Sequence, residues 1–197
     1  MNKMKKIALG VVTAMTMIEG AGCSTAKSTK DLKAVVDFDA VRYMGKWHEI
    51  ARLPQWYERD LMNVTAHYEL DGGKLKIVNR GFVDGKEKTA TAVGHFVGDA
   101  NVGDLKVSFF WPFYGGYKVL WVSPEYDCAL VTGDDRSSLW ILAREPQIAP
   151  ALHAKLMQMA KELGYDVEAL EYPGEGVNIR EPHVSRYPFR PSGKSGI

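Results

Sequence analysis

The sequence predicts an all-β protein, an eight-stranded antiparallel up-and-down β-barrel with one C-terminal α-helix packed outside it. From residue 46 to residue 144 the chain consists of short β-type runs separated by turns such as Asp71-Gly72-Gly73 and Asp84-Gly85. Beyond residue 146 the apolar residues recur at helical spacing instead. Eight strands at even spacing favour a closed barrel, because closure removes the exposed sheet edges.

The chain begins with the pattern of an export signal. Lys3, Lys5 and Lys6 precede an uncharged, mostly apolar run at residues 7–18, which is too short to span a bilayer. We therefore expect residues 1–22 to be a signal peptide.

Cys23 directly follows small residues, an arrangement that resembles the lipobox of bacterial lipoproteins. In that family the cysteine carries the lipid anchor, and Ser24 after it resembles the signal for sorting to the outer membrane. Glu19 and Gly20 depart from the pattern, so an ordinary secretory signal that leaves Cys23 unmodified is the alternative. We expect residues 23–36 to form a lipidated cysteine and a flexible tether.

Eight runs carry the strand pattern. In the second, Val64, Ala66 and Tyr68 alternate with polar residues, which is typical of a strand with one buried face. The expected strands are residues 46–53, 63–70, 74–82, 89–97, 105–110, 117–122, 129–132 and 139–144. A barrel of eight strands is just wide enough inside to hold one small ligand.

One amphipathic helix follows the strands. Leu152, Leu156, Met159 and Leu163 form a single apolar stripe, which Gly164 ends. We expect this stripe to pack against the outside of the barrel. Residues 174–197 are rich in Pro, Gly and basic residues, and we expect a disordered tail.

Composition excludes several classes of function. The net charge is +1, which gives no general attraction for nucleic acid. Two cysteines cannot build a disulfide framework. His48-Glu49 begins a zinc-protease motif, but Arg52 stands where the second histidine must be. The five histidines show no metal spacing, and we expect neither a metal nor a cofactor.

Three motifs in order carry a resemblance to lipocalins. Gly45-Lys46-Trp47 resembles their G-x-W signature, the segment around Tyr126 resembles their second motif, and Arg144 after Leu139–Ala143 matches the third. The segment around residues 112–117 makes the chain similar to the bacterial lipocalins related to apolipoprotein D. The resemblance covers about residues 37–172, and we expect residues 37–173 to form the barrel and its helix.

The resemblance implies a protein without catalytic activity that binds a fatty acid or lysophospholipid in the barrel. It also implies an anchor in the outer membrane, with the barrel facing the periplasm. Four residues then have structural roles at the closed end of the barrel: Gly45, Trp47, Tyr126 and Arg144. Five residues are candidates for ligand contact, some of them near the open mouth: Ala66, Tyr68, Tyr114, Tyr117 and Trp140.

Two other functions remain open at this point. One is an enzyme acting on a lipid in the same cavity, with Cys128 as nucleophile. The other is a haem or tetrapyrrole carrier with His48 or His67 as axial ligand. The aromatic residues Trp56, Trp111 and Phe113 are expected near loops, where they contact lipid, a bilayer surface or a second chain in a homodimer.

Overall fold

The computed structural model describes residues 26–174. Eight antiparallel strands form a closed barrel, in which each strand pairs with the next and the eighth pairs with the first. The strands are β1 Gly45–Arg52, β2 Met62–Asp71, β3 Lys74–Val83, β4 Lys86–Phe96, β5 Asp104–Phe110, β6 Phe113–Val122, β7 Cys128–Thr132 and β8 Leu139–Ala143. The predicted fold class is confirmed. The expected signal peptide, Cys23 and the tail beyond Gly174 lie outside the described residues.

Successive strands run in opposite directions, so the loops between them lie alternately at the two ends of the barrel. Strand β1 starts at one end with Gly45, and the loops that follow β2, β4 and β6 return to that same end. The loops between β1 and β2, β3 and β4, β5 and β6, and β7 and β8 lie at the other end. We call the first the closed end, because the short helix α1, Ala40–Tyr43, lies there with the buried Tyr43. The second is the open end.

Two apolar clusters hold the barrel together. The first fills the closed half of the interior around Trp47, Tyr68 and Leu142. The second lies outside the sheet, where Leu130 and Ile141 pack against Leu156 of helix α2, Pro150–Glu162. The helix therefore covers the outer face as its apolar stripe predicts. Among the described residues, neither α-helix is long and apolar enough to cross a membrane.

The N-terminal segment is a packed strap, which we define as residues 27–38. It starts at the open end, where the Thr29 amide donates to the Asp134 carbonyl and the Thr29 hydroxyl donates to Gly133. Arg136 binds both oxygens of Asp31 at 3.0 and 2.9 Å. The strap then reaches the closed end, where Phe38 packs inside.

The expectation of a flexible tether is therefore wrong for residues 27–36. The segment is polar, as the sequence suggests, but its polar groups bind the barrel instead of water. Thr29 is only 3% exposed, and the Val35 amide donates to Val119 of β6.

Candidate functional site

Four aromatic side chains form the floor of the barrel interior. Tyr43, at the end of α1, lies 4.8 Å from Trp47 and 5.6 Å from Tyr68, measured between ring centroids. The Tyr117 hydroxyl lies 2.7 Å from that of Tyr43 and 2.9 Å from that of Tyr68. Asp39 caps α1 and so fixes the turn that points Tyr43 inward.

Burial raises the pKa of each of the hydroxyls of Tyr43, Tyr68 and Tyr117 well above the usual tyrosine value. All three are therefore neutral at physiological pH. The floor is an uncharged surface of rings with a small hydrogen-bonded cluster of hydroxyls.

The closed end is held by Arg144, whose guanidinium carbon lies 3.9 Å from the centroid of the Trp47 ring. Its nitrogens donate to four backbone carbonyls, those of Arg42, Met44, Lys46 and Tyr126. These bonds join the N-terminal turn, β1 and the β6–β7 turn.

Gly45 and Tyr126 also lie at the closed end, next to Arg144. Gly45 has φ +93°, and a Cβ there would lie 3.4 Å from Arg144 Nη1. The Tyr126 hydroxyl accepts from the Asp39 amide at 2.7 Å. The four motif residues thus lie together at the closed end and hold its backbone.

The opposite half of the interior carries a buried charge network around Arg52, at the end of β1. Arg52 Nη1 donates to Glu49 at 2.8 Å, and Nη2 donates to the Glu58 carbonyl at 2.7 Å and the Leu61 carbonyl at 3.2 Å. Its Nε donates to Glu171 at 3.4 Å. The bonds pin the β1–β2 loop, residues 53–61, over this side of the barrel.

Burial raises the pKa of Glu49 above its usual range, and the nearby Glu58 carboxyl raises it further, while Arg52 opposes the shift. Burial also raises the pKa of Glu58, against the hydrogen bond from Trp140 and the charge of Arg52. The Arg52 guanidinium therefore lowers the pKa values of the Glu49 and Glu58 carboxyls, whereas burial raises them.

The other side of the mouth is open to solvent. The register of β3 and β4 is unbroken, so Ala90 and Lys88 lie on the same inward face of β4 as the buried Ala92. Both are exposed, as is Gly115 on β6. Asn79, opposite Ala90, has a buried Oδ1 without a hydrogen-bond partner among the described residues. Ala90 and Lys88 lie on the part of β4 beyond its last pair with β5, Val93 with Ser108, so they are at the margin of the open end.

Four of the five predicted ligand-contact residues face the interior. Ala66 pairs directly with Trp47, and Tyr68 and Tyr117 belong to the floor. Trp140 also packs against the interior cluster, but its Nε1 donates to Glu58 at 3.2 Å, so this N–H is not available to a ligand.

Tyr114 is the exception. Strand β6 starts at Phe113 rather than at residue 117, so Tyr114 lies inside the strand, with opposite parity to Tyr117. Its ring packs on His95 of β4, 5.1 Å away, on the outer face. The expectation that Tyr114 contacts an interior ligand is therefore wrong.

Neither alternative function has the geometry that it requires. Cys128 packs in the cluster under α2, not in the interior, and burial raises the pKa of its thiol to about 12. His48 and His67 line an open groove of about 860 Å³ on the outer wall of β1–β3. Across residues 26–174, no group of three or more His, Cys, Asp or Glu side chains is placed to hold a metal ion.

Sequence reasoning missed the network of Glu49, Arg52 and Glu58 as well as Tyr43 and Lys88. Period-2 counting from Trp47 does place Glu49 inside. It places Arg52 outside, because it does not anticipate the β-bulge between Glu49 and Ala51.

The comparisons with known proteins agree with this architecture. The lipocalin-like domain family matches residues 38–175. The outer membrane lipoprotein Blc of Citrobacter freundii is 41% identical over 165 residues, which cover 82% of this chain and 92% of that protein. Its counterpart in Escherichia coli K12 is 42% identical over 148 residues, 74% of this chain and 84% of that protein.

Solved structures show the same fold at low sequence identity. Insecticyanin from the tobacco hornworm Manduca sexta superposes with a TM-score of 0.64 at 20% identity, covering 77% of this chain and 88% of that chain. The motifs, the closed barrel and these matches lead to one conclusion: this chain belongs to the lipocalin family.

Proposed function

We propose that this protein binds a single-chain lipid, a fatty acid or a lysophospholipid, inside its barrel and carries it at the outer membrane. The observation that carries the proposal is the interior wall of β4. Exposed Ala90, at the open end, shares the inward face of β4 with Ala92, which is buried in the apolar interior cluster. A small side chain at this height leaves room for an acyl chain.

The energy of binding comes from burial. Each methylene moved from water into an apolar site contributes about 0.8 kcal/mol, so a chain of about 15 methylenes contributes about 12 kcal/mol before costs. Association and ordering reduce this by about 4 kcal/mol or more, which leaves about 8 kcal/mol, an affinity near micromolar. No bond chemistry is required.

The head group belongs at the mouth rather than at the floor, where the tyrosine hydroxyls already bind one another. Lys88 has an inward register position and is exposed there. We assign Lys88 as the partner of an anionic carboxylate or phosphate. Tyr114, one of the candidate ligand contacts, packs on His95 on the outer face and does not take this role.

The anchor is proposed at Cys23. The lipobox-like sequence and the relatives named as outer membrane lipoproteins support lipidation at this cysteine and attachment to the outer membrane, with the barrel on the periplasmic side. An anchored carrier meets its membrane ligand at a raised local concentration.

The test is native mass spectrometry of the purified protein, followed by solvent extraction and identification of the lipid. We expect fatty acid or lysophospholipid at about one molecule per chain. A protein that is empty and also fails to take up a fluorescent fatty acid contradicts the proposal.

A matched pair of variants locates the ligand. Ala90→Trp fills the accessible interior, whereas Thr91→Trp places the same side chain on the outer face of the same strand. We expect Ala90→Trp to weaken uptake of the fluorescent fatty acid by about tenfold or more, and Thr91→Trp to leave it unchanged. Equal effects of the two variants place the ligand elsewhere.

A further inference from the structure

Exposed aromatic side chains flank the open end of the barrel. Trp56 lies in the β1–β2 loop, and Phe110, Trp111 and Phe113 form the hairpin between β5 and β6. Their exposed fractions are 82, 80, 82 and 78%, respectively. We call these four residues the aromatic rim. In a ring of eight strands β1–β2 lies opposite β5–β6, so the rim borders the mouth on two sides.

The N-terminal strap starts at this same end. The Lys27 carbonyl accepts from the Arg136 amide, and Ser28 pairs with Asp135. Asp135 and Arg136 lie in the β7–β8 loop. Lys27 is only four positions from Cys23, a reach of at most about 14 Å. A lipid on Cys23 therefore holds the open end near the bilayer, although the chain enters the barrel at the closed end.

We infer that the aromatic rim rests in the interface of the phospholipid bilayer, so that the mouth opens onto the membrane; this rests on the anchoring and lipid binding proposed above. A lipid then passes between the leaflet and the interior without crossing bulk water. Tryptophan suits this position, because its ring prefers the boundary between headgroups and hydrocarbon.

Charge at the same end favours a membrane over a second copy of the chain. The described chain ends at Gly174, next to Pro173, whose carbonyl accepts from the Asn63 amide at the start of β2. The sequence beyond it has four basic residues against two acidic ones: Arg180, Arg186, Arg190 and Lys194 against Glu175 and Glu181. A net positive segment that begins beside the mouth is attracted to anionic lipid heads.

The first experiment reads the orientation of the whole protein. The protein purified from membranes is reconstituted in vesicles of phosphatidylethanolamine and phosphatidylglycerol with brominated acyl chains, which quench tryptophan fluorescence on contact. We expect strong quenching that the double variant Trp56→Phe, Trp111→Phe removes. Quenching that persists in this variant comes from Trp47, Trp121 or Trp140, none of which belongs to the aromatic rim, and so contradicts contact of the rim with the bilayer.

A matched control reads the other end. Val41 is 74% exposed at the closed end, and Val41→Trp in the double-variant background provides an equally exposed indole there. We expect no added quenching from it. Quenching at position 41 but not at the rim, or at neither, overturns the inference. Loss of rim exposure through dimer formation in solution, seen by analytical ultracentrifugation, overturns it as well.

The second experiment separates docking from ligand binding. In Phe110→Ser, Trp111→Ser we expect transfer of a fluorescent fatty acid from vesicles to slow by about tenfold, because the rim no longer holds the mouth in the interface. We expect the same double variant to take up the fatty acid from water as fast as the wild type. The control Val41→Ser should receive the fatty acid from vesicles at the wild-type rate. Equal loss of both uptake routes shows damage to the binding site and refutes the docking role. Failure of the wild type to take up fatty acid by either route refutes the proposed function itself.

Discussion

Arg52 is the residue whose removal tests most directly how the open half of the barrel is built. Arg52→Met keeps the aliphatic volume and removes the guanidinium. Four hydrogen bonds are lost: to Glu49, to the carbonyls of Glu58 and Leu61, and to Glu171. The Glu49 carboxyl stays buried without its cation.

Arg52→Met leaves the Glu49 carboxyl and the carbonyls of Glu58 and Leu61 without this donor, and each buried polar group left unsatisfied costs about 1–3 kcal/mol. For a domain of this size each kcal/mol corresponds to about 2–4 °C in Tm. We therefore expect Arg52→Met to unfold at least about 6 °C below the wild type at neutral pH, measured by thermal and urea denaturation followed by circular dichroism.

The dependence on pH has a definite sign. The pKa of Glu49 is already raised by burial in the folded protein, and removing Arg52 raises it further. Above the ordinary carboxyl pKa the folded state then holds a proton that the unfolded state releases, so stability falls as pH rises. In the wild type the pKa of Glu49 is raised to about 8, so below this pH both folded proteins hold the proton and lose stability in parallel. The extra loss in Arg52→Met therefore grows only as pH rises above about 8.

Glu49→Gln is the matched control, because it removes the charge and keeps the shape. We expect the double variant Arg52→Met, Glu49→Gln to recover about half of the lost free energy of unfolding at pH 8 and to show a smaller slope with pH, because only the raised pKa of Glu58 remains. A loss below about 1 kcal/mol in Arg52→Met, or one that is constant from pH 6 to pH 9, would refute the network as the support of this loop.

The remaining predictions concern the closed end, the floor and the outer cluster. Arg144→Lys retains the charge but cannot reach four carbonyls, and we expect urea denaturation to show a loss of about 2–4 kcal/mol. Tyr117→Phe removes the hydroxyl shared by Tyr43 and Tyr68, with an expected loss of about 1–3 kcal/mol by the same measurement. The buried thiol of Cys128, with its pKa raised to about 12, should resist iodoacetamide at pH 8 in the folded protein and react in urea, as mass spectrometry will show.

The sequence predicted the barrel well because alternation is a strong signal when one face is buried. Val64, Ala66 and Tyr68 show it clearly, and the structure buries all three. The apolar stripe of α2 is equally clear. The helix α1 has only four residues, too few to carry a periodic pattern.

The site was harder to predict because it depends on small irregularities. The bulge in β1 adds one residue and turns Arg52 inward. Gly115-Gly116 resembles a turn in sequence, yet β6 runs straight through it. At Gly116 an added Cβ would lie 2.5 Å from an oxygen of Asp134, so this glycine serves close packing of the β7–β8 loop rather than a change of direction. No local pattern distinguishes these two uses of glycine.

The strap has a consequence for the order of folding. Its contacts join residues about 100 positions apart, such as Thr29 with Gly133 and Asp31 with Arg136. We expect such contacts to form only after the intervening chain has ordered, because early closure of so long a loop costs conformational entropy that no other contact yet offsets. The β7–β8 loop exists only once the last strands have paired, so docking of the strap is a late step. With the lipid proposed at Cys23, docking of the strap shortens the free segment between the anchor and the barrel, and so brings the open end closer to the membrane only once the barrel is complete.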